Sequence, residues 1–407
     1  MMTSKTFLLL LLLLLLALPA SARAADGGLT LVSSNAIDAR LTELTFTSPS
    51  VAEPVHVRVL VPREAAADPG ARYPTLYLLH GSPGSAAAST ELDIEKLTEG
   101  MGLVVVMPDG GDDGWYTDWP NGAQPRWETF HIRELIPWID AHEPVIAARS
   151  KRAVSGVSMG GFGAMSYAAR HPDVFAAAAS FSGALDLGAP PGAGPSIVGV
   201  EPWGPWTGPE IGWRGHNPAD LAANLRGVSI QILFGDGYLG PDDLETRLAV
   251  QSRSFAAAAG AAGIPREVID LGPVGHQLDT WNAEIADALP GLLYRLNHPV
   301  DPPATWSFRA TERRWTMRGY TLASSRDALA WRSLRNVRTT GFTVATDAPT
   351  TITTAKRYAH RARYRVVVRP ASGKAVRNVV RTTAEGRLVV KVRGSARVEI
   401  TRASAES

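Results

Sequence analysis

Residues 153–165 read AVSGVSMGGFGAM, and Gly156-Val157-Ser158-Met159-Gly160 within them form a G-x-S-x-G pattern. The pattern alone is weak, and its flanks make it informative. Residues 153–157 are a short apolar run with the look of a buried strand. Residues 160–170 have a helical pattern that His171-Pro172 ends. A serine on a sharp turn between strand and helix carries its hydroxyl into the open. Such a turn leaves no room for a side chain at Gly156 or Gly160, and Gly161 and Gly163 let the helix pack close.

Working outward, residues 73–79 and 103–107 are continuous apolar runs, stopped by His80-Gly81 and by Pro108-Asp109-Gly110. Strands buried on both faces have this composition. Residues 29–61 instead alternate, with Val55, Val57 and Val59 between His56, Arg58 and Leu60, as in antiparallel strands. Further strands are predicted at 174–180, 228–234 and 267–271. Helices are predicted at 127–142, with a kink at Pro137, and at 244–262 and 281–296. The alternation of buried strands and helices predicts a mostly parallel, doubly wound α/β sheet. Two Gly-rich tracts, 110–125 and 188–218, carry tryptophans that either cover a substrate or pack on the sheet edge.

The ends of the chain read differently. Lys5, the leucine-rich run 7–18, Pro19 and the small residues to Ala24 form a signal-peptide pattern, residues 1–24, implying export. An uncleaved anchor is the alternative, although the run is short for a membrane span. Residues 25–298 make one α/β unit, and 299–303, with Asp301-Pro302-Pro303, a linker. Residues 304–407 read as a small all-β domain of short strands. From residue 301 onward the sequence has 22 Lys+Arg and 7 Asp+Glu, a balance of +15 in a chain of net +2. That charge suits an anionic cell-envelope surface, or is simply a solvated face. Nucleic acid is set aside as a partner for an exported chain. There are no cysteines, which excludes disulfides, thiolate metal sites and a cysteine nucleophile. No His-Glu-x-x-His pattern occurs, and neither metal nor cofactor is expected.

A serine hydroxyl needs a base within reach and an acid to orient that base. On this type of sheet they follow in the order serine, acid, histidine. His276 lies in a loop after the strand 267–271, where such sheets build their sites. His298 follows the last helix and belongs to the surface. The acid is expected after strand 228–234, and spacing does not choose among Asp236, Asp242, Asp243 and Glu245. The oxyanion donors are expected at the N–H groups of Met159 and Ser82. His80 stands at a strand end where its ring can order the loop. With Gly81, Trp115, Trp119, Trp203 and Trp206 it makes up the candidate substrate-contacting set.

Several segments carry a family resemblance: LYLLHG at 76–81, VVVMPDGGDDGWYTDW at 104–119, WETF at 127–130, GVSMGG at 156–161 and GPSIVG at 194–199. Together they resemble the esterase family of the antigen 85 mycolyltransferases and the S-formylglutathione hydrolases (the esterase D group). The resemblance covers residues 29–296 and implies the α/β-hydrolase fold. It selects Glu245, which follows Leu244 at a helix start, as the acid, with Asp243 second. It also implies Ser158 as nucleophile, His276 as base and Ser82 as second oxyanion donor. Two departures stand out. His80 replaces the aspartate of the mycolyltransferases, and Gln277-Leu278 replaces their Ser-Trp after the histidine.

Three functions compete: a secreted carboxylic-ester hydrolase; an acyltransferase moving acyl groups to sugar hydroxyls of the envelope; and a non-catalytic envelope-binding protein. Hydrolysis is expected, on a small-molecule, lipid or glycolipid ester. The sequence sets neither acyl length nor oligomeric state.

Overall fold

The computed structural model describes residues 28–119, 125–189, 201–203, 210–238 and 243–403. The expected leader, the 194–199 loop, Trp206 and Asp242 lie outside the described residues. Nine strands form one sheet: β1 (Thr30–Ala36), β2 (Leu41–Thr47), β3 (Val55–Leu60), β4 (Thr75–Leu79), β5 (Val104–Pro108), β6 (Arg152–Val157), β7 (Ala177–Phe181), β8 (Ser229–Phe234) and β9 (Arg266–Asp270). Their spatial order is β1-β2-β3-β5-β4-β6-β7-β8-β9. Antiparallel pairing joins β1, β2, β3 and β5, and parallel pairing runs from β5 through β4 to β9.

Period-two geometry explains the apolar runs. Tyr77, Leu79, Val104, Val106 and Val154 join the core on one face of the sheet. Leu76, Leu78, Val105, Met107, Ala153 and Val157 join the core on the other. Among the helices that flank the sheet are α1 (Met159–Arg170), α2 (Leu244–Ala261) and α3 (Leu278–Asn297). Phe162 and Met165 of α1 and Leu248 and Phe255 of α2 fill the first core. Ile285, Leu289 and Leu292 of α3 fill the second.

Two helices differ from expectation. α3 starts at Leu278, not at residue 281, so its first turn lies directly after His276. The run 127–142 stays helical but passes through a π-helical stretch, Phe130–Leu135, just before Pro137. π-turns and prolines are both recognised sites of helix irregularity.

Residues 306–402 form two antiparallel sheets of six and four strands around a separate core that includes Trp306, Tyr320, Phe342 and Val398. They dock on the α/β unit through polar contacts. Arg170 Nη2 donates to Glu312 at 2.5 Å, and the Arg318 N–H to Asp173 at 3.0 Å. Asn224 exchanges two hydrogen bonds with the Arg309 backbone, at 2.9 and 3.0 Å. Among the described residues no helix is long and apolar enough to cross a membrane.

Candidate active site

The turn between β6 and α1 holds Ser158 at φ 54°, ψ −115°. Positive φ is uncommon for a non-glycine residue and is a form of stored backbone strain. Packing enforces it. A Cβ on Gly160 would come within 2.7 Å of the His80 carbonyl oxygen and 2.6 Å of the Leu79 carbonyl carbon. A Cβ on Gly156 would collide with the Gly160 backbone. Only glycines at both positions let α1 start this close to β4 and β6.

The structure brings three of the predicted residues into one hydrogen-bonded chain. His276 Nε2 lies 3.0 Å from Ser158 Oγ, and His276 Nδ1 lies 2.7 Å from Glu245 Oε2. Glu245 is fully buried at the start of α2, and its Oε1 accepts the Gly235 N–H at 2.8 Å. That bond ties the carboxylate to the carboxyl end of β8. Trp281 of α3 stands edge-on to the His276 ring, with centroids 5.0 Å apart. Asp243, the second candidate acid, is used elsewhere. It is the N-cap of α2, and its side chain accepts the Glu245 N–H at 2.9 Å. Asp236 pairs with Arg253 at the surface, and His298 is exposed, its ring against the Tyr294 carbonyl.

Met159 is buried at the first position of α1, and its N–H is one of the free donors of a helix start. The β4 loop lies opposite. A Cβ on Gly81 would stand 3.3 Å from Ser158 Cβ, so Gly81 abuts the serine and Ser82 follows it, exposed.

Two of the candidate substrate contacts need correcting. His80 is 2% exposed and faces protein. The Gly110 N–H donates to its Nε2 at 2.9 Å, so its Nδ1 carries the proton and donates to the Gly81 carbonyl at 2.8 Å. Tyr116 Oη donates to the His80 carbonyl at 2.8 Å. The ring therefore fixes the loop and cannot touch a substrate. Trp115 is likewise 2% exposed, packed against Phe162 and Trp203. Burial of so large an apolar ring outweighs any role in solvent. Trp119 and Trp203 are half-buried. Trp203 lines a cleft of about 580 Å³ between the α/β unit and the β sheets, with Glu128, Arg170, Glu312 and Trp315.

Two polar clusters escaped sequence reasoning. Glu128, in the WETF segment, receives Arg170 Nε at 2.9 Å and lies 2.6 Å from His171 Nε2, beside Glu312 of the β region. The second joins Ser182 and Glu284 to Glu245. Ser182 Oγ lies 2.7 Å from Glu245 Oε1 and 2.9 Å from Glu284 Oε1. One signal was available: Glu284 interrupts the apolar stripe of α3 that continues through Ile285, Ala288 and Leu292.

Comparison with known proteins follows the same lines. The Esterase family model matches residues 48–292. Esterase Rv1288 of Mycobacterium tuberculosis is 34% identical over 284 residues, 62% of this chain and 59% of that protein. The chain thus spans little more than half the length of this relative. The diacylglycerol acyltransferase/mycolyltransferase Ag85A of Mycobacterium ulcerans is 31% identical over 262 residues, 56% of this chain and 75% of that one. An S-formylglutathione hydrolase from Agrobacterium tumefaciens superposes with a TM-score of 0.56 at 20% identity, over 66% of this chain and 99% of its own. With more than half of its length matched by the family model and its fold shared with that solved structure, the chain belongs to the Esterase family and has the α/β-hydrolase fold.

Proposed function

We propose that the protein is an exported serine hydrolase of carboxylic esters that works through an acyl-enzyme on Ser158. Glu245 keeps the Nδ1 proton of His276 facing it, which leaves Nε2 free as the base. Nε2 takes the Ser158 proton as Oγ bonds to the ester carbonyl carbon. The Met159 and Ser82 N–H groups receive the oxyanion, each donor worth about 3 kcal/mol of barrier. His276 then gives its proton to the departing alkoxide as the C–O bond breaks. Water repeats the sequence in reverse and frees the acid. The observation that carries this reading is the continuous chain from Ser158 through His276 to Glu245, at 3.0 and 2.7 Å. Ser158→Ala should remove turnover of a nitrophenyl ester and labelling by a fluorophosphonate, with the fold kept by circular dichroism. Undiminished turnover in that variant would end the proposal.

Acyl transfer is a second reading, favoured by the 31% identity to an enzyme named as an acyltransferase. The first half-reaction is the same, and a sugar or glyceride hydroxyl replaces water in the second. An acyl donor mixed with such an acceptor separates the two by product.

Export rests on the leader pattern of residues 1–24. Retention at an anionic envelope surface is supported by the β region. Arg363, Arg365, Arg377 and Arg381 are exposed on one hairpin, Arg363 directly across from Arg381. Like charges paired in this way are unfavourable unless an anion sits over them.

A further inference from the structure

Ser182, at the end of β7, and both of its acidic neighbours are fully buried. The geometry sets a proton-counting problem. A hydroxyl has one hydrogen and can donate to only one of two carboxylates. Glu245 already receives the Gly235 N–H on Oε1 and faces His276 with Oε2, so it is the acceptor of the group. If Glu284 were also ionised, an anionic oxygen would face a serine lone pair at 2.9 Å in a fully buried setting. Its Oε2 has no hydrogen-bond partner among the described residues, and no cation there pairs with it. Glu245 is the charged group that acts on it, with His276 beyond. A proton on Glu284 reconciles both contacts of Ser182 Oγ. Its O–H donates to Ser182 Oγ, whose own O–H then donates to Glu245 Oε1.

We infer that Glu284 is a positioning residue acting as a neutral carboxylic acid, which holds Ser182 and, through it, the Glu245 carboxylate that orients His276. The inference rests on the hydrolase reading above. Burial, and then the charge of Glu245, push the Glu284 carboxyl well above the ordinary carboxylate range, in agreement. α3 thus supports the base from two sides, with Trp281 against the ring and Glu284 behind the acid.

The test compares Glu284→Gln and Glu284→Leu in the full chain with a nitrophenyl ester. Leucine breaks the relay and should lower kcat about tenfold with KM little changed, the effect of losing one hydrogen bond to a charged group. Glutamine, a neutral donor of the same shape, should recover most of that loss. The pH profile is the sharper readout. Replacing a neutral acid by a neutral amide leaves the acid limb of kcat/KM in place. Were Glu284 ionised, the same change would remove a negative charge near His276 and move that limb to lower pH. Infrared difference spectra at neutral pH should also contain the carbonyl stretch of a protonated acid, absent from Glu284→Gln. A shifted limb, a missing carbonyl band or an unchanged kcat in Glu284→Leu each overturns the inference. If the leucine variant fails to fold, the limb and the band in Glu284→Gln still decide. The infrared band does not depend on turnover, so a chain without esterase activity would sink the hydrolase reading and leave this proton assignment separately testable.

Discussion

Replacing Glu245 by glutamine should reverse the tautomer of His276 without disturbing the fold. Glu245 Oε1 meets two donors, the Gly235 N–H at 2.8 Å and Ser182 Oγ at 2.7 Å, while Oε2 meets only His276 Nδ1 at 2.7 Å. A backbone N–H cannot turn away, so the single oxygen of the new amide must take the Oε1 place. Its NH2 then points at His276 Nδ1. That nitrogen has to accept, which moves the ring proton to Nε2, facing Ser158 Oγ, and the base is lost. A wrong tautomer of this kind lowers kcat by about 10⁴, or ~5 kcal/mol at 1.36 kcal/mol per tenfold. The assay is steady-state hydrolysis of a short-chain nitrophenyl ester, with thermal melting as the control for folding. A loss of less than tenfold in a well-folded variant would refute the reasoning, since Glu245 would then not be setting the tautomer.

Other outcomes follow from the same contacts. Gly160→Ala drives a Cβ into the Leu79 and His80 carbonyl groups and should destabilise the protein by about 1–3 kcal/mol or more, read as a lower urea midpoint, with activity lost alongside. Arg170→Met strands Glu128 and Glu312, both held below the usual carboxylate range by Arg170 against the cost of burial, and should cost about 3–5 kcal/mol in urea unfolding. An unchanged midpoint would mean that this cross-domain cluster contributes nothing. His131 is 3% exposed, and burial lowers its imidazole from 6.5 to about 4. The unfolded chain gains that proton as pH falls below 6.5, and the native state only near 4. His131 therefore contributes fully above pH 6.5, and its share, roughly 3 kcal/mol, is lost as pH drops to 4. Urea midpoints across that range should fall more steeply for the native sequence than for His131→Gln.

Some of this molecule follows from local sequence alone. The strand, tight turn and helix around Ser158 are short-range features, because the glycines at 156 and 160 and the apolar run before them act within a dozen residues. The parallel sheet follows from continuous β-branched runs between helices, since only a strand covered on both faces tolerates such composition. His276 was legible from chain order. Glu245 was not legible from spacing, which left four carboxylates open, and needed the family resemblance.

What the tertiary structure alone decided concerns side chains whose role depends on what lies across the fold. Asp243 and Glu245 are two residues apart in sequence. One faces its own helix N-terminus and the other faces His276, a difference set by the packing of α2 against β8. His80 and Trp115 stood among the candidate substrate contacts, yet both are sealed by neighbours distant in the chain, and His80 keeps only the loop-ordering role that its strand-end position also suggested. The Glu284–Ser182–Glu245 chain joins residues 102 and 63 positions apart, from a helix, a strand end and a second helix start. No local pattern encodes such a meeting. Burial and proton sharing are properties of the assembled sheet and its helices, and they determine which of its many carboxylates is charged, which is neutral and which one holds the histidine.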